Sequence, residues 1–225
     1  MDDHPIVLQG CRQLLVDAGV DEIIEAKTLV EGFSLYRTRT PDIIILDLAM
    51  RTGALNGLSF LRRLRLFDKT TPVLVFTMHG DTVVVGRALQ LGATGYLLKD
   101  SPPDEIVKAF MKMRDGKPYL SHELASDVVF EHARRKTNPM RNLSLRELET
   151  LMFIAEGKPY GAIAESLNVS YKTVANTCAN LKVKLGAHSL SELIRIAIDH
   201  LPTLKQTRNA SDVYDSYNAM REKSE

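Results

Sequence analysis

The stretch Ile43-Ile44-Ile45-Leu46-Asp47 decides how the first half of the chain folds. Four aliphatic residues in succession are typical of a strand that is buried on both faces of a parallel sheet. Similar apolar runs recur at residues 72–76 and 95–98, and amphipathic stretches separate the runs. Strands that alternate with helices in this way predict a doubly wound α/β fold.

Polar residues stand at the end of each apolar run. Asp47, Thr77 and Lys99 end the runs or directly follow them, and the carboxyl ends of parallel strands meet at the edge where ligands bind. A carboxylate there can attack a phosphoryl group, with Thr77 and Lys99 as partners for the phosphoryl oxygens. Asp2 and Asp3 offer further carboxylates for a divalent cation. An aspartate after a strand is also a common turn former or helix cap, so Asp47 alone leaves both interpretations open.

The composition excludes several classes of protein. The chain has 225 residues, a formal net charge of +1 and 44% hydrophobic residues, which indicates an ordinary globular protein of one or two domains. No apolar run approaches the ~20 residues of a membrane helix, and the acidic N-terminus does not resemble a secretory signal. Cys11 and Cys178 are far apart in the sequence, so we expect no disulfide framework and a cytoplasmic location. The balanced charge means that any nucleic-acid binding depends on a local patch.

The second half of the chain has an entirely helical pattern. Ser144 and Glu147 form a capping box ahead of an amphipathic stretch, and Ser189 and Glu192 form another. Between them, two helical patterns joined by the turn Asn168-Val169 predict a helix-turn-helix. The predicted organisation is a first domain at 1–115, a linker at 116–141, a helix-turn-helix domain at 142–201 and a polar tail at 202–225.

The helix predicted at 171–185 is the candidate for reading DNA. Its core face carries Val174, Cys178 and Leu181, and the opposite face is polar. Asparagine pairs well with adenine, small apolar groups contact the thymine methyl, and lysines contact phosphates. An isolated helix of this kind is usually only a solvated surface, but the preceding helix and turn favour docking in the major groove. The candidate residues are Lys172, Thr173, Asn176, Ala179, Asn180, Lys182 and Lys184.

The motifs of the first half together resemble the receiver domain of bacterial response regulators, which has a flavodoxin-like fold. The resemblance is carried by Asp2-Asp3, the run 43–48, Thr77-Met78-His79 and the run 95–100. It implies that a sensor histidine kinase phosphorylates Asp47. It also implies Mg²⁺ ligation by Asp2, Asp3, Asp47 and the backbone carbonyl of Ala49, a switch pair of Thr77 and Tyr96, and phosphate binding by Lys99.

Residues 143–200 resemble the LuxR-type helix-turn-helix. The resemblance is carried by the segments 143–149, Ile163-Ala164-Glu165, 169–176 and Lys184-Leu185-Gly186. With the receiver, it makes the whole chain similar to response regulators of the NarL/FixJ family. The resemblance implies a transcriptional regulator that is controlled by aspartate phosphorylation and binds double-stranded DNA as a homodimer, rather than an enzyme that acts on a separate substrate.

Two other classes of function remain open at this stage. The first is a regulator with a degenerate receiver that binds DNA without phosphorylation. The second is a phosphatase or dehalogenase-like enzyme with Asp47 as its nucleophile. The second class needs another carboxylate two residues later, where this chain has Ala49, so the residues disfavour it.

The chain departs from the receiver pattern at two places. In the family a central strand precedes the acidic pair, whereas here Met1 directly precedes Asp2. Loss of that strand would leave backbone groups of Ile23-Ile24 and of residues 43–46 unpaired, so we expect either a native start upstream or an impaired receiver. The loop after Asp47 also has Arg51 where the family has proline, and it is longer than usual up to Gly57.

Overall fold

The computed structural model describes residues 1–50, 55–133 and 138–201, which fall into two compact units divided near residue 136. The departure predicted at Arg51 and the polar tail predicted at 202–225 lie outside the described residues.

The first unit is built on a four-stranded parallel sheet. Its strands are β1 (Ile44–Leu46), β2 (Val73–Thr77), β3 (Gly95–Leu98) and β4 (Tyr119–Leu120), in the order β1-β2-β3-β4. In this register, Leu46 lies beside Val75 and Val75 beside Tyr96. The three strands predicted from the apolar runs are confirmed to within one residue at each end.

Strand β4 lies inside the segment 116–141 that the sequence predicts to be a linker. It pairs with β3 through Gly95 and Tyr96, and the helix that follows it also belongs to the first unit. Two residues are too few to show a strand periodicity, so the pattern around Tyr119 carries no recognisable strand signal. The domain boundaries proposed from the sequence therefore stay a prediction, with ordered elements extending past residue 115.

Helices cover both faces of this sheet. They are α1 (Pro5–Asp17), α2 (Leu29–Arg39), α3 (Asn56–Leu64), α4 (Thr82–Gln90), α5 (Asp104–Arg114) and α6 (His122–Ala133). One core layer joins Leu46 and Val73 to Leu61 of α3, and a second layer joins Leu74 and Leu97 to α5. Buried strands with helices on both sides confirm the predicted doubly wound α/β architecture.

Met1 occupies the place beside β1 where the receiver pattern has a further strand. The Met1 ammonium donates to the Ile45 carbonyl (2.9 Å), and the Asp47 amide donates to the Met1 carbonyl (3.0 Å). On its other side, the Asp2 amide donates to the Ala26 carbonyl (3.1 Å). A single residue therefore makes parallel ladder bonds with β1 while the next residue bonds to the segment 22–26.

The two segments that flank Met1 have not closed up on each other. Residues 22–26, all of them described, form no strand, and a cavity of about 740 Å³ lies between this segment and β1. Its apolar lining includes Ile24, Ile45 and Phe110. The separation keeps Asp2 at the carboxyl edge of the sheet, whereas direct pairing of the two segments would leave it no place there.

The described part of the second unit, residues 138–201, consists of a short 3-10 helix at Pro139–Asn142 and four α-helices. These are α7 (Leu145–Ala155), α8 (Tyr160–Leu167), α9 (Tyr171–Leu185) and α10 (Leu190–His200). The core between them contains Leu148, Ile163, Val174, Leu181 and Leu193. No helix in the described parts of either unit is long and apolar enough to cross a membrane.

Local signals explain why these four helices begin and end where they do. The Ser144 side chain accepts from the Glu147 amide, and Glu147 accepts from the Ser144 amide in return, as in a full capping box. Ser170 accepts from the Thr173 amide at the start of α9. Asn168 adopts a left-handed conformation (φ 52°) that ends α8 and turns the chain toward α9. The predicted helix-turn-helix is confirmed.

Any side chain larger than that of glycine at position 57 should destabilise the first unit. A Cβ at this position would clash with the Asp47 carbonyl oxygen and lie 2.7 Å from the Leu48 Cα, and neither backbone atom can move without disturbing β1. Gly57→Ala should lower the free energy of unfolding by about 1–3 kcal/mol, as for overpacked sites. Urea unfolding measures this change.

Gly10→Ala is the matched control for this prediction. Gly10 is also in a helix, but a Cβ added there would have nothing within 4 Å of it, so alanine should be neutral or stabilising. Equal stability of the two variants would contradict the close approach of α3 to the end of β1.

Candidate functional site

A buried cluster of charges lies at the carboxyl edge of the sheet. Asp47 follows β1 and is 3% exposed, and Lys99 follows β3 with a side chain 9% exposed. The Lys99 ammonium lies 2.9 Å from the Asp47 carboxylate and 2.6 Å from that of Asp2. The Lys99 amide in turn donates to the Thr77 carbonyl (2.9 Å). The parallel sheet therefore brings Asp47, Thr77 and Lys99 together, with Asp2 added from the N-terminus.

The pairing of charges keeps Lys99 protonated. Burial by itself lowers the pKa of the Lys99 ammonium, but hydrogen bonds and charge attraction from Asp2 and Asp47 outweigh burial and raise its pKa. A raised lysine pKa stabilises the fold at all pH values below the ordinary lysine pKa, and this stabilisation is lost as the pH rises through the raised value. At Met1, by contrast, burial outweighs the attraction of the nearby carboxylates, and the pKa of the terminal ammonium is lowered.

Four donor groups at this edge are close enough to share a metal ion. One donor atom from each of Asp2, Asp3, His4 and Asp47 lies within 4.8 Å of the others. Carboxylate oxygens are the ligands that Mg²⁺ prefers. The backbone amide of Ala49 donates to the Asp47 carboxylate (3.3 Å), which places Ala49 next to these donors. The donor set fits a divalent cation.

Thr77 and Tyr96 lie next to the charge cluster, and both are fully buried. The Tyr96 hydroxyl donates to the His79 carbonyl (2.5 Å), so the tyrosine is bonded to the loop that follows β2. Burial, together with the charges of Asp81 and Asp47, raises the pKa of Tyr96 well above its ordinary value. Among the described residues, none offers a hydrogen-bond partner to the Thr77 hydroxyl, which is unusual for a buried polar group.

Three residues of this edge were not predicted from the sequence. His4 comes directly after the acidic pair, and this adjacency was the available signal for its place in the cluster. Asp81 directly precedes α4 and is buried. In the sequence, an aspartate at the start of a helix indicates only a helix cap, so its place near this edge was not predicted. Met1 contributes through backbone groups, which no side-chain motif reveals.

The structure places most of the predicted DNA-reading residues on one exposed face of α9. Val174, Cys178 and Leu181 are buried against the other helices, as the periodicity predicts. The exposed candidates are Lys172, Thr173, Asn176, Ala179, Asn180 and Lys184, whereas Lys182 is half-buried. The predicted set did not include Tyr171, which is exposed at the start of α9 with its ring 5.9 Å from that of Tyr160.

Lys184 has a partner within its own unit. Its ammonium lies 2.8 Å and 2.9 Å from the two carboxylate oxygens of Glu147 in the capping box of α7. Burial alone would raise the pKa of Glu147, but Lys184 and the Ser144 bonds hold it below its usual range. Lys184 therefore differs from Lys172 in having a charge that is already neutralised.

A buried acidic pocket with a paired lysine at the carboxyl edge of a doubly wound sheet, followed by a helix-turn-helix, is the combination found in DNA-binding response regulators. Comparison with known protein families agrees with this assignment. Residues 1–111 match the response regulator receiver domain, and residues 141–197 match the bacterial regulatory proteins of the luxR family. The chain belongs to the two-component response regulators with a LuxR-type helix-turn-helix.

Individual relatives are similar over nearly the whole chain. The methanol utilization control regulatory protein MoxX of Paracoccus denitrificans is 38% identical over 194 residues, which cover 86% of this chain and 87% of that protein. The response regulator UvrY of Escherichia coli is 29% identical over 203 residues, covering 89% and 92%.

A solved structure of similar organisation is that of the response regulator RcsB from Salmonella typhimurium. It has a TM-score of 0.69 at 26% identity and covers 90% of this chain and 94% of that chain. A second RcsB structure, bound to the promoter rprA in the presence of the phosphomimetic BeF₃⁻, has a TM-score of 0.66 at 26% identity, covering 87% and 95%.

Removal of the Lys99 charge should destabilise the first unit. Lys99→Met leaves the carboxylates of Asp2 and Asp47 buried close together without the ammonium between them, which should cost about 3–5 kcal/mol near neutral pH. Urea unfolding at near-neutral pH measures this loss.

Lys108→Met is the control for the Lys99 prediction. Lys108 also pairs with two carboxylates, but its side chain is 57% exposed, so solvent screens these pairs and its removal should cost far less stability than removal of Lys99. If the two variants lost equal stability, the buried cluster would not have the energetic role described.

Proposed function

We propose that Asp47 of this response regulator accepts a phosphoryl group from a sensor histidine kinase and that phosphorylation controls DNA binding by the second unit. The observation that carries the proposal is the meeting of the Asp47 carboxylate, the Lys99 ammonium and the buried, unpartnered Thr77 hydroxyl at one edge of the described sheet. A carboxylate oxygen of Asp47 attacks the phosphorus, and the bond between phosphorus and the kinase imidazole breaks. The product is an aspartyl phosphate.

Asp3, Asp47 and Asp2, with the backbone carbonyl of Ala49, are the residues that would hold Mg²⁺ in this site. The donor atoms of the three carboxylates lie close together, which supports the assignment. When bound, Mg²⁺ offsets the negative charge that the phosphoryl group brings next to these carboxylates.

Lys99 and Thr77 are suited to hold the new phosphoryl group. Phosphorylation adds about −1.5 to −2 charge to the pocket, and the Lys99 ammonium can turn from the Asp47 carboxylate to the phosphoryl oxygens while it keeps its bond to Asp2. The Thr77 hydroxyl gains a hydrogen-bond acceptor that none of the described residues provides. Thr77 moves toward the phosphoryl group and Tyr96 repacks into the space, so the loop bonded to the Tyr96 hydroxyl shifts as well.

The exposed face of α9 reads DNA in the major groove under this proposal. Asn176 and Asn180 supply bidentate amides for bases, Ala179 supplies a small apolar contact, and Lys172 contacts phosphate. Lys184 contributes less because Glu147 already neutralises it. The protein acts as a homodimer on two half-sites, since two copies double the phosphate contacts that one weakly basic unit can make.

Asp47 should be the phosphorylation site. Incubation with acetyl phosphate and Mg²⁺ should add one phosphoryl group to the wild-type protein, seen by intact-mass spectrometry, and none to Asp47→Asn. Asp42→Asn removes an exposed carboxylate just before β1 and should label like the wild type. Equal labelling of wild type and Asp47→Asn would exclude Asp47 as the acceptor.

A phosphorylation-independent regulator is the second candidate function. The cavity beside β1 favours it, because the apolar packing next to the acidic pocket is incomplete in the described residues. The affinity of the protein for a DNA duplex that it has selected from a random library distinguishes the two candidate functions. The first predicts at least tenfold tighter binding in beryllofluoride and Mg²⁺, corresponding to about 1.4 kcal/mol, whereas the second predicts equal binding with and without them.

Substitutions on α9 should separate base reading from phosphate contact. Asn176→Ala should lose about 1–3 kcal/mol of discrimination at one base pair. Lys172→Ala should weaken binding to all sequences and reduce the salt slope by about one. Lys184→Ala should change the salt slope less than Lys172→Ala does, because of its pairing with Glu147. Fluorescence anisotropy titrations at several salt concentrations measure all three.

Gln9→Ala, an exposed change on α1, is the control for these titrations and should leave DNA binding unchanged. Unchanged sequence preference in Asn176→Ala would show that this residue does not read a base. A larger loss of salt slope in Lys184→Ala than in Lys172→Ala would contradict the assigned role of the Glu147 pair.

A further inference from the structure

His4 stands against the acidic pair of the proposed metal site. Its ring nitrogen Nδ1 lies 3.2 Å from an Asp2 oxygen and 3.3 Å from an Asp3 oxygen. Its backbone amide also donates to that Asp2 oxygen (2.9 Å), so the turn that begins α1 fixes where the ring can go. The side chain is 61% exposed overall, which leaves the approach from solvent to these three donors open.

The spacing of these donors suits an ion with octahedral coordination. Neighbouring ligand atoms around an ion with bonds of ~2.1 Å are about 3.0 Å apart, close to the distances from His4 Nδ1 to the two aspartates. A ring nitrogen of His4 also lies within 4.8 Å of an Asp47 carboxylate oxygen. One imidazole nitrogen and three carboxylates therefore lie close together on the carboxyl edge of the sheet.

The kind of donor decides which ions gain from this arrangement. Mg²⁺ prefers oxygen ligands and keeps its waters, so an imidazole adds little to its binding. Imidazole nitrogen binds first-row transition ions strongly, with affinity rising from Mn²⁺ through Co²⁺ to Ni²⁺. A site that combines carboxylates with one imidazole consequently favours transition ions over Mg²⁺.

We propose that His4 is a direct metal ligand through Nδ1 and that it makes this site select transition ions over Mg²⁺. The proposal rests on the metal site in the proposed function, and it adds to that site a residue that determines metal specificity. The competing role for His4 is that of a cation that pairs with Asp2 and Asp3. The two roles predict opposite effects of removing the ring, because a cation competes with metal ions whereas a ligand binds them.

Metal titrations of the full chain with His4→Gln test the proposal. At one fixed, near-neutral pH, isothermal titration with Mg²⁺, Mn²⁺, Co²⁺ and Ni²⁺ should show that the substitution weakens Co²⁺ and Ni²⁺ about tenfold or more and Mg²⁺ by less than about twofold. His122→Gln, an exposed substitution on α6, is the control and should change none of these affinities. Higher affinity for all four ions in His4→Gln, or an equal loss for all four, would overturn the proposal.

A spectroscopic measurement separates ligation from an indirect effect. With Mn²⁺ bound, electron spin-echo modulation should report an imidazole nitrogen on the metal in the wild type and in His122→Gln, and lose it in His4→Gln. Absence of nitrogen modulation in the wild type would overturn the proposal. Urea unfolding of His4→Gln is the control that measures whether the variant keeps its fold.

The same experiment distinguishes failure of this proposal from failure of the proposed function. If Asp3→Asn and Asp47→Asn abolish metal binding while His4→Gln leaves the metal preference unchanged, His4 is not a ligand and the carboxylate site stands. If Asp3→Asn and Asp47→Asn leave metal binding unchanged, the metal site itself is misplaced, and both proposals fail.

Discussion

The acidic pocket depends on the backbone hydrogen bonds of Met1. Its ammonium and carbonyl bond to Ile45 and Asp47 at the end of β1, and the next amide bonds to Ala26 on the opposite side. These bonds hold Asp2 where its carboxylate meets the Lys99 ammonium. Lys99 in turn is bonded through its amide to the end of β2. Three segments that are distant in sequence are thereby fixed around Asp47, although a cavity lies between β1 and the segment 22–26.

Charge and burial together explain how a pocket with two buried carboxylates can be stable. Two buried carboxylates would repel each other, and the single ammonium between them balances that repulsion. Under the proposed function, the same ammonium turns toward the incoming phosphoryl group while Asp2 retains it. The buried Thr77 hydroxyl adds a donor that no described residue satisfies. Such an unsatisfied group is costly in a resting structure, and it stabilises the state in which an acceptor arrives.

Much of this arrangement could be predicted from the sequence because it follows from local rules. The run at 43–46 is apolar enough to require burial on both faces, and parallel strands necessarily bring Asp47, Thr77 and Lys99 to one edge. Ser144, Ser170 and Ser189 mark helix starts by their own side chains. The features that were not predicted depend on long-range contacts instead. Strand β4 is ordered by pairing with β3, and the ladder bonds of Met1 involve backbone groups, which are the same in every residue and carry no sequence signal.

The contact between Lys184 and Glu147 shows that the two ends of α9 are held in different ways. One carboxylate of α7 caps its own helix and binds a lysine near the C-terminal end of α9, so that end is tied to the core. The first half of α9 has its start fixed by Ser170, and the exposed face with Lys172 and Asn176 makes no such contact with Glu147 among the described residues. A helix that is anchored at its far end and capped at its near end presents these side chains in a fixed geometry. Under the proposed function, this fixed geometry lowers the entropy cost of binding DNA, because fewer side-chain conformations are lost when the complex forms.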